Sequence, residues 1–110
     1  MDRKKINRII KIYLKDLSKK IQIDKAILFG SALTGKIEKN KDIDLLILSS
    51  SFNDMDSNQR FDVLYTSRNR LETQTVPMDI FGLTPKEYAE ANFLSITGEI
   101  KEKGREITNL

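Results

Sequence analysis

Asp42 and Asp44 stand two residues apart at the head of the apolar run Asp42-Ile43-Asp44-Leu45-Leu46-Ile47-Leu48. Side chains alternate faces along a strand, so both carboxylates are expected on one face, with Ile43, Leu45 and Ile47 entering a core on the other. Carboxylates this close repel and raise each other's pKa unless a cation lies between them. Magnesium suits that position, being a hard ion that takes one or two protein carboxylates and completes its shell with water and substrate phosphates. An isolated Asp-x-Asp also has a plainer reading, in which Asp42 is a strand-edge residue and Asp44 pairs with a lysine such as Lys41.

The motif is not isolated. The short apolar run Lys25-Ala26-Ile27-Leu28-Phe29 closes on Gly30-Ser31, where glycine lets the backbone approach a ligand and a serine hydroxyl with freed backbone amides can hold phosphate. By itself a Gly-Ser pair is a turn. The polar segment from Ser31 to Lys41, with a second glycine at Gly35, is long enough to bring the chain back into a neighbouring strand. That return would set a phosphate cradle beside the two acids.

Composition removes the competing chemistries. The chain of 110 residues has no cysteine and no histidine, which excludes disulfides, thiolate nucleophiles, Ser-His-Asp triads, ordinary catalytic zinc and histidine acid–base work. Carboxylates, lysines and hard metal ions remain. The 19 Lys and Arg against 16 Asp and Glu give a net charge of +3, interspersed along the chain, so a nucleic-acid partner is not expected. No run approaches the roughly 20 apolar residues of a membrane span, and Met1-Asp2-Arg3-Lys4-Lys5 leads into an amphipathic pattern, so a soluble, cytoplasmic protein is expected. At 39% hydrophobic residues the chain is expected to build one domain over residues 1–110.

The elements follow from periodicity. Ile6, Ile9, Ile10, Tyr13, Leu14 and Leu17 recur at spacings of three and four, predicting an amphipathic helix from Lys4 to Lys20. Strands are predicted over Lys25–Phe29, Asp42–Leu48 and Val76–Leu83. Phe61, Leu64, Tyr65 and Leu71 predict a helix capped by Asp56 or Ser57. Thr84-Pro85-Lys86-Glu87 combines an N-cap threonine, a first-turn proline and a third-position glutamate, a capping box that starts another helix. Ala89, Phe93, Ile96 and Ile100 continue its stripe past a weak point at Gly98, Gly104 ends it, and Arg105 to Thr108 reads as a short terminal strand. The order predicts an α/β or α+β domain with a small mixed sheet flanked by helices.

Phe29-Gly30-Ser31, the later Gly35 and Lys41-Asp42-Ile43-Asp44-Leu45 at this separation resemble the signature of the DNA polymerase beta superfamily of nucleotidyltransferases. More narrowly, the chain resembles the minimal nucleotidyltransferases often encoded beside HEPN-domain proteins in toxin–antitoxin modules. The resemblance implies a third carboxylate on the strand next to the Asp-x-Asp strand, and Asp79 is the matching position. It implies catalytic and metal-binding roles for Asp42, Asp44 and Asp79, which would hold two magnesium ions or manganese, and nucleotide contacts at Gly30, Ser31 and Gly35. Thr34 and Lys41 depart from the arginine and serine that minimal members often carry; neither position is a metal ligand in the family pattern.

The implied activity is transfer of a nucleoside monophosphate, AMP from ATP or the equivalent from another nucleoside triphosphate, to a hydroxyl acceptor. The implied acceptor is a HEPN-type toxin, with this chain as the antitoxin. A homodimer whose twin subunit completes the site is the partner that ranks second. The competing reading of the function is a non-catalytic module that keeps fold and acids and neutralises its partner by covering it.

Overall fold

The computed structural model describes residues 3–30, 43–91 and 104–107. Its elements are α1 (Arg3–Leu17), β1 (Lys25–Phe29), β2 (Ile43–Leu48), a 3-10 turn (Ser50–Asp54), α2 (Ser57–Thr66), α3 (Leu71–Gln74), β3 (Met78–Leu83), α4 (Pro85–Ala89) and β4 (Arg105–Glu106). The strands make a mixed four-stranded sheet in the order β3-β2-β1-β4. Strand β1 runs antiparallel to both β2 and β4, whereas β2 and β3 are parallel. This is the α+β arrangement of helices around a small mixed sheet that the element order predicts.

The apolar stripe of α1 is buried along its whole length and lies against one face of the sheet, on Ala26, Leu28, Ile43, Leu45, Ile47, Met78 and Ile80. Alternate residues of β1, β2 and β3 therefore enter this core. Strand β2 lies between two neighbours and is covered on both faces, which explains its unbroken apolar run after Asp44. On its other face Ile27, Leu46 and Leu48 form a smaller cluster with Phe29, Leu83 and Tyr88 packed against it.

Parallel pairing of β2 and β3 demands a crossover, which the 3-10 turn, α2 and α3 provide. Asp56 caps α2 in a reciprocal capping box with Gln59. The helix stops at Thr66 instead of running on to Leu71. The Ser67 hydroxyl donates to the Val63 carbonyl, and the Arg68 guanidinium donates to the carbonyls of Thr73 and Val76, folding the polar stretch after Thr66 into a new start. Leu71 opens the separate α3 and is 74% exposed, so it is no part of the stripe of α2. Strand β3 begins at Met78, two residues later than predicted, and α1 ends in a turn over Ser18–Lys20. The capping box of Thr84 with Glu87 is present at α4. Phe93, Ile96, Gly98, Ile100 and Thr108 lie outside the described residues, in which no helix is long and apolar enough to cross a membrane.

Helix α2 would leave its last carbonyls without helical partners. The Tyr13 hydroxyl donates to one of them, Leu64 O, at 2.7 Å, and burial pushes the phenol's pKa up well beyond its ordinary value. Tyr13→Phe strands that buried carbonyl. It is expected to cost about 1–3 kcal/mol, read as a lower urea midpoint with unchanged slope.

Asp16 is the buried acid of α1. Arg70 grips it as a fork, Nε to Oδ2 at 2.7 Å and Nη2 to Oδ1 at 3.2 Å, and Lys19 adds a contact at 3.4 Å. The Arg70 hydrogen bond holds the carboxyl below its usual pKa. A depressed carboxyl stabilises the fold above its unfolded pKa, and that contribution is lost as pH falls through the folded value. Arg70→Ala is therefore expected to lower Tm at neutral pH, and the gap to wild type to close as the solution is acidified through the carboxylate range.

Candidate active site

The strand register sets the acids side by side. Phe29 of β1 is opposite Asp44 of β2, and Asp44 is opposite Asp79 of β3, so the three form one row across the sheet. Alternation places this row on the face away from α1, where the next row is Ile27, Leu46 and Phe81. Adjacent strands lie about 4.8 Å apart, which brings two carboxylates of parallel neighbours within reach of one cation. Asp44 is half-buried and Asp79 exposed.

Gly30 completes the row at the end of β1. Its φ of 70° lies in the left-handed region, and a Cβ built on it would run into the Asp44 carboxylate and stand 3.2 Å from Asp44 Cγ. Backbone and carboxylate pack together here only because position 30 has no side chain. The glycine thus turns the chain out of β1 and makes room for an acid at the same point.

Strand β3 is the edge of the sheet and is held from outside. The Ile80 amide donates to the Tyr65 hydroxyl at 3.0 Å, and Arg60 Nη1 reaches the Gly82 carbonyl at 3.4 Å. Arg60 also donates to the carbonyls of Phe52 and Met55 and pairs with Glu87 at 2.7 Å, so one guanidinium ties the 3-10 turn, α2, β3 and α4 together. Hydrogen bonds from Arg60 and from the Thr84 amide hold Glu87 below the usual carboxylate range. Two outward backbone groups of β3, the Ile80 amide and the Gly82 carbonyl, are thereby occupied, which blunts the edge and steadies the strand that bears Asp79.

Of the residues singled out by sequence, the structure brings Gly30, Asp44 and Asp79 together. Asp42, Ser31, Gly35, Thr34 and Lys41 lie outside the described residues. Two adjacent oxygen-donor side chains on one face suit a hard divalent cation completed by water and phosphate oxygens. Among the described residues no three acids, histidines or cysteines cluster together. One feature escaped the motif reading: Phe81, 48% exposed, leans across β2 to within 6.0 Å of the Phe29 ring centroid. The signal for it was the same alternation that pairs Asp42 with Asp44, carried two residues on from Asp79.

Three solved structures share the fold. A candidate nucleotidyltransferase from Sulfolobus solfataricus superimposes with a TM-score of 0.60 at 18% identity, covering 80% of this chain and 77% of that one. A toxin–antitoxin with AMP-PNP gives 0.61 at 17% identity, covering 100% of this chain and 75% of that one. A mutant MntA-HpeT toxin–antitoxin in which two aspartates are changed to glutamate gives 0.58 at 15% identity, with coverage of 100% and 75%. No curated protein matches the sequence. The sequence does match the nucleotidyltransferase domain over residues 10–107, from the middle of α1 to the end of β4. With that match spanning the helix, the sheet and the row of acids, the chain belongs to the nucleotidyltransferase domain family.

Proposed function

We propose that the chain transfers a nucleoside monophosphate, AMP from ATP, to a hydroxyl on a partner protein. The observation that carries the proposal is the placement of Asp44 opposite Asp79, with Gly30 packed against the Asp44 carboxylate. Asp42, Asp44 and Asp79 would hold two magnesium ions, or manganese. Bound magnesium would neutralise charge on the phosphate oxygens and on the attacking and leaving oxygens.

The remaining work falls to the chain. Gly30 and Ser31, with Gly35 following, cradle the triphosphate through backbone amides and the serine hydroxyl. Asp79 orients the acceptor hydroxyl and takes its proton. The acceptor oxygen bonds to the α-phosphorus as the bridging α–β oxygen bond breaks, and pyrophosphate leaves with that bridging oxygen. Positioning and electrostatics supply the acceleration, so a chain without histidine is adequate.

Two neighbours in fold are toxin–antitoxin proteins, one of them with AMP-PNP. Together with the resemblance of the motifs, they support an antitoxin role against a helical HEPN-type toxin, silenced by a nucleotidyl group on a hydroxyl such as a tyrosine. A site open to water on the sheet face gains from a partner surface that excludes solvent. The test is co-expression with the product of the adjacent gene and incubation with magnesium and ATP labelled at the α-phosphate. Label and one AMP mass on the partner are expected. A complex that forms and silences the partner without added mass would establish the non-catalytic covering module instead.

A further inference from the structure

We propose that Phe81 is the acceptor-contacting residue of this site, receiving the apolar flank of the group whose hydroxyl is nucleotidylated. The inference rests on the transferase reading above and deepens it. In an in-line displacement the leaving and attacking oxygens lie on opposite sides of the α-phosphorus. Gly30, at the cradle, lies at the β1 end of the row, and Asp79 lies at the β3 end with Asp44 between them. Pyrophosphate thus leaves over β1, and the acceptor arrives over β3.

Phe81 stands two residues beyond Asp79 on the same face of the same strand. Its ring is 48% exposed and tilted 41° against Phe29, so together they roof β2 beside the acid row. A large apolar ring left half in water on an otherwise filled sheet face gains when a second apolar surface covers it. The edge of β3 is taken by Tyr65 and Arg60. Two outward backbone groups of that edge are thus unavailable to an added fifth strand, which favours an acceptor that comes down onto the face, where Phe81 meets it.

The test uses the full chain with magnesium, ATP and two small acceptors, N-acetyl-tyrosinamide and N-acetyl-serinamide, scored by the mass of the AMP adduct. Wild type is expected to use the ring-bearing acceptor at a lower KM. Phe81→Ala is expected to raise that KM about tenfold, as loss of one ring contact of about 1.4 kcal/mol would. It should leave the KM for the serine compound and the magnesium-dependent affinity for ATP unchanged, and Phe81→Leu should restore part of the loss. An unchanged KM for the ring-bearing acceptor in Phe81→Ala would overturn the inference and leave the transferase reading standing. Weakened ATP binding in that variant would also overturn it, by assigning the ring to the nucleobase. A wild-type chain that transfers to neither amide overturns it too, while labelling of the protein partner judges the transferase reading separately.

Discussion

Asp44→Asn and Asp79→Asn are each expected to abolish nucleotidyl transfer, by about 10³-fold or more, while the protein stays folded. Both residues stand in one row on the sheet face away from α1, one half-buried and one exposed, and neither belongs to the apolar cluster under α1. Neither side chain packs in that cluster, so exchanging a carboxylate for the isosteric amide should leave the metal-free protein folded. The informative comparison is Tm with and without magnesium–ATP. Wild type should be stabilised by the ligand through mass action and the variants should not. Variants that lose activity because they unfold would show a lower Tm in both conditions, which would assign these acids to the fold instead of the site.

Gly30→Ala is expected to be the second-largest lesion, and for two separable reasons. The left-handed φ of 70° costs a residue with a Cβ about 1–2 kcal/mol, and the new methyl collides with the Asp44 carboxylate. The carboxylate must turn away, so magnesium-dependent ATP binding should be lost although the rest of the fold survives. Gly30→Asn separates the two effects. Asparagine tolerates the left-handed region but brings the same Cβ. It is expected to recover stability relative to alanine and to remain defective in nucleotide binding. Recovery of binding along with stability would mean that backbone conformation alone explains the glycine.

Part of the candidate site was legible in the residue order because its placement depends on local periodicities. Alternation of two along Asp42-Ile43-Asp44-Leu45 placed the acids on one face and the core on the other, and the observed burial of Ile43, Leu45 and Ile47 agrees. The Thr84-Pro85-Lys86-Glu87 start was legible because a capping box is complete within four residues. Pairing is different in kind. That Asp79 lies opposite Asp44 follows from a parallel register set by the length and packing of the crossover, and only family resemblance pointed to it. The break between α2 and α3 was missed because its cause is long-range for a helix: Arg68 bonding to carbonyls five and eight residues away. The buried Asp16 was missed for a similar reason, since its partner Arg70 is 54 residues distant. Phe81 was a third case, a ring whose meaning depends on which strands lie beside it.

The central claim, that this sheet face binds a nucleoside triphosphate through metal held by its acids, is tested most directly by calorimetric titration of ATP into the purified chain. One titration is made in magnesium and another after removal of divalent ions with a chelator. Saturable binding in magnesium, none in chelator, and none in magnesium for Asp44→Asn is the predicted set. Equal ATP affinity with and without divalent metal, or full affinity in Asp44→Asn, would contradict the account.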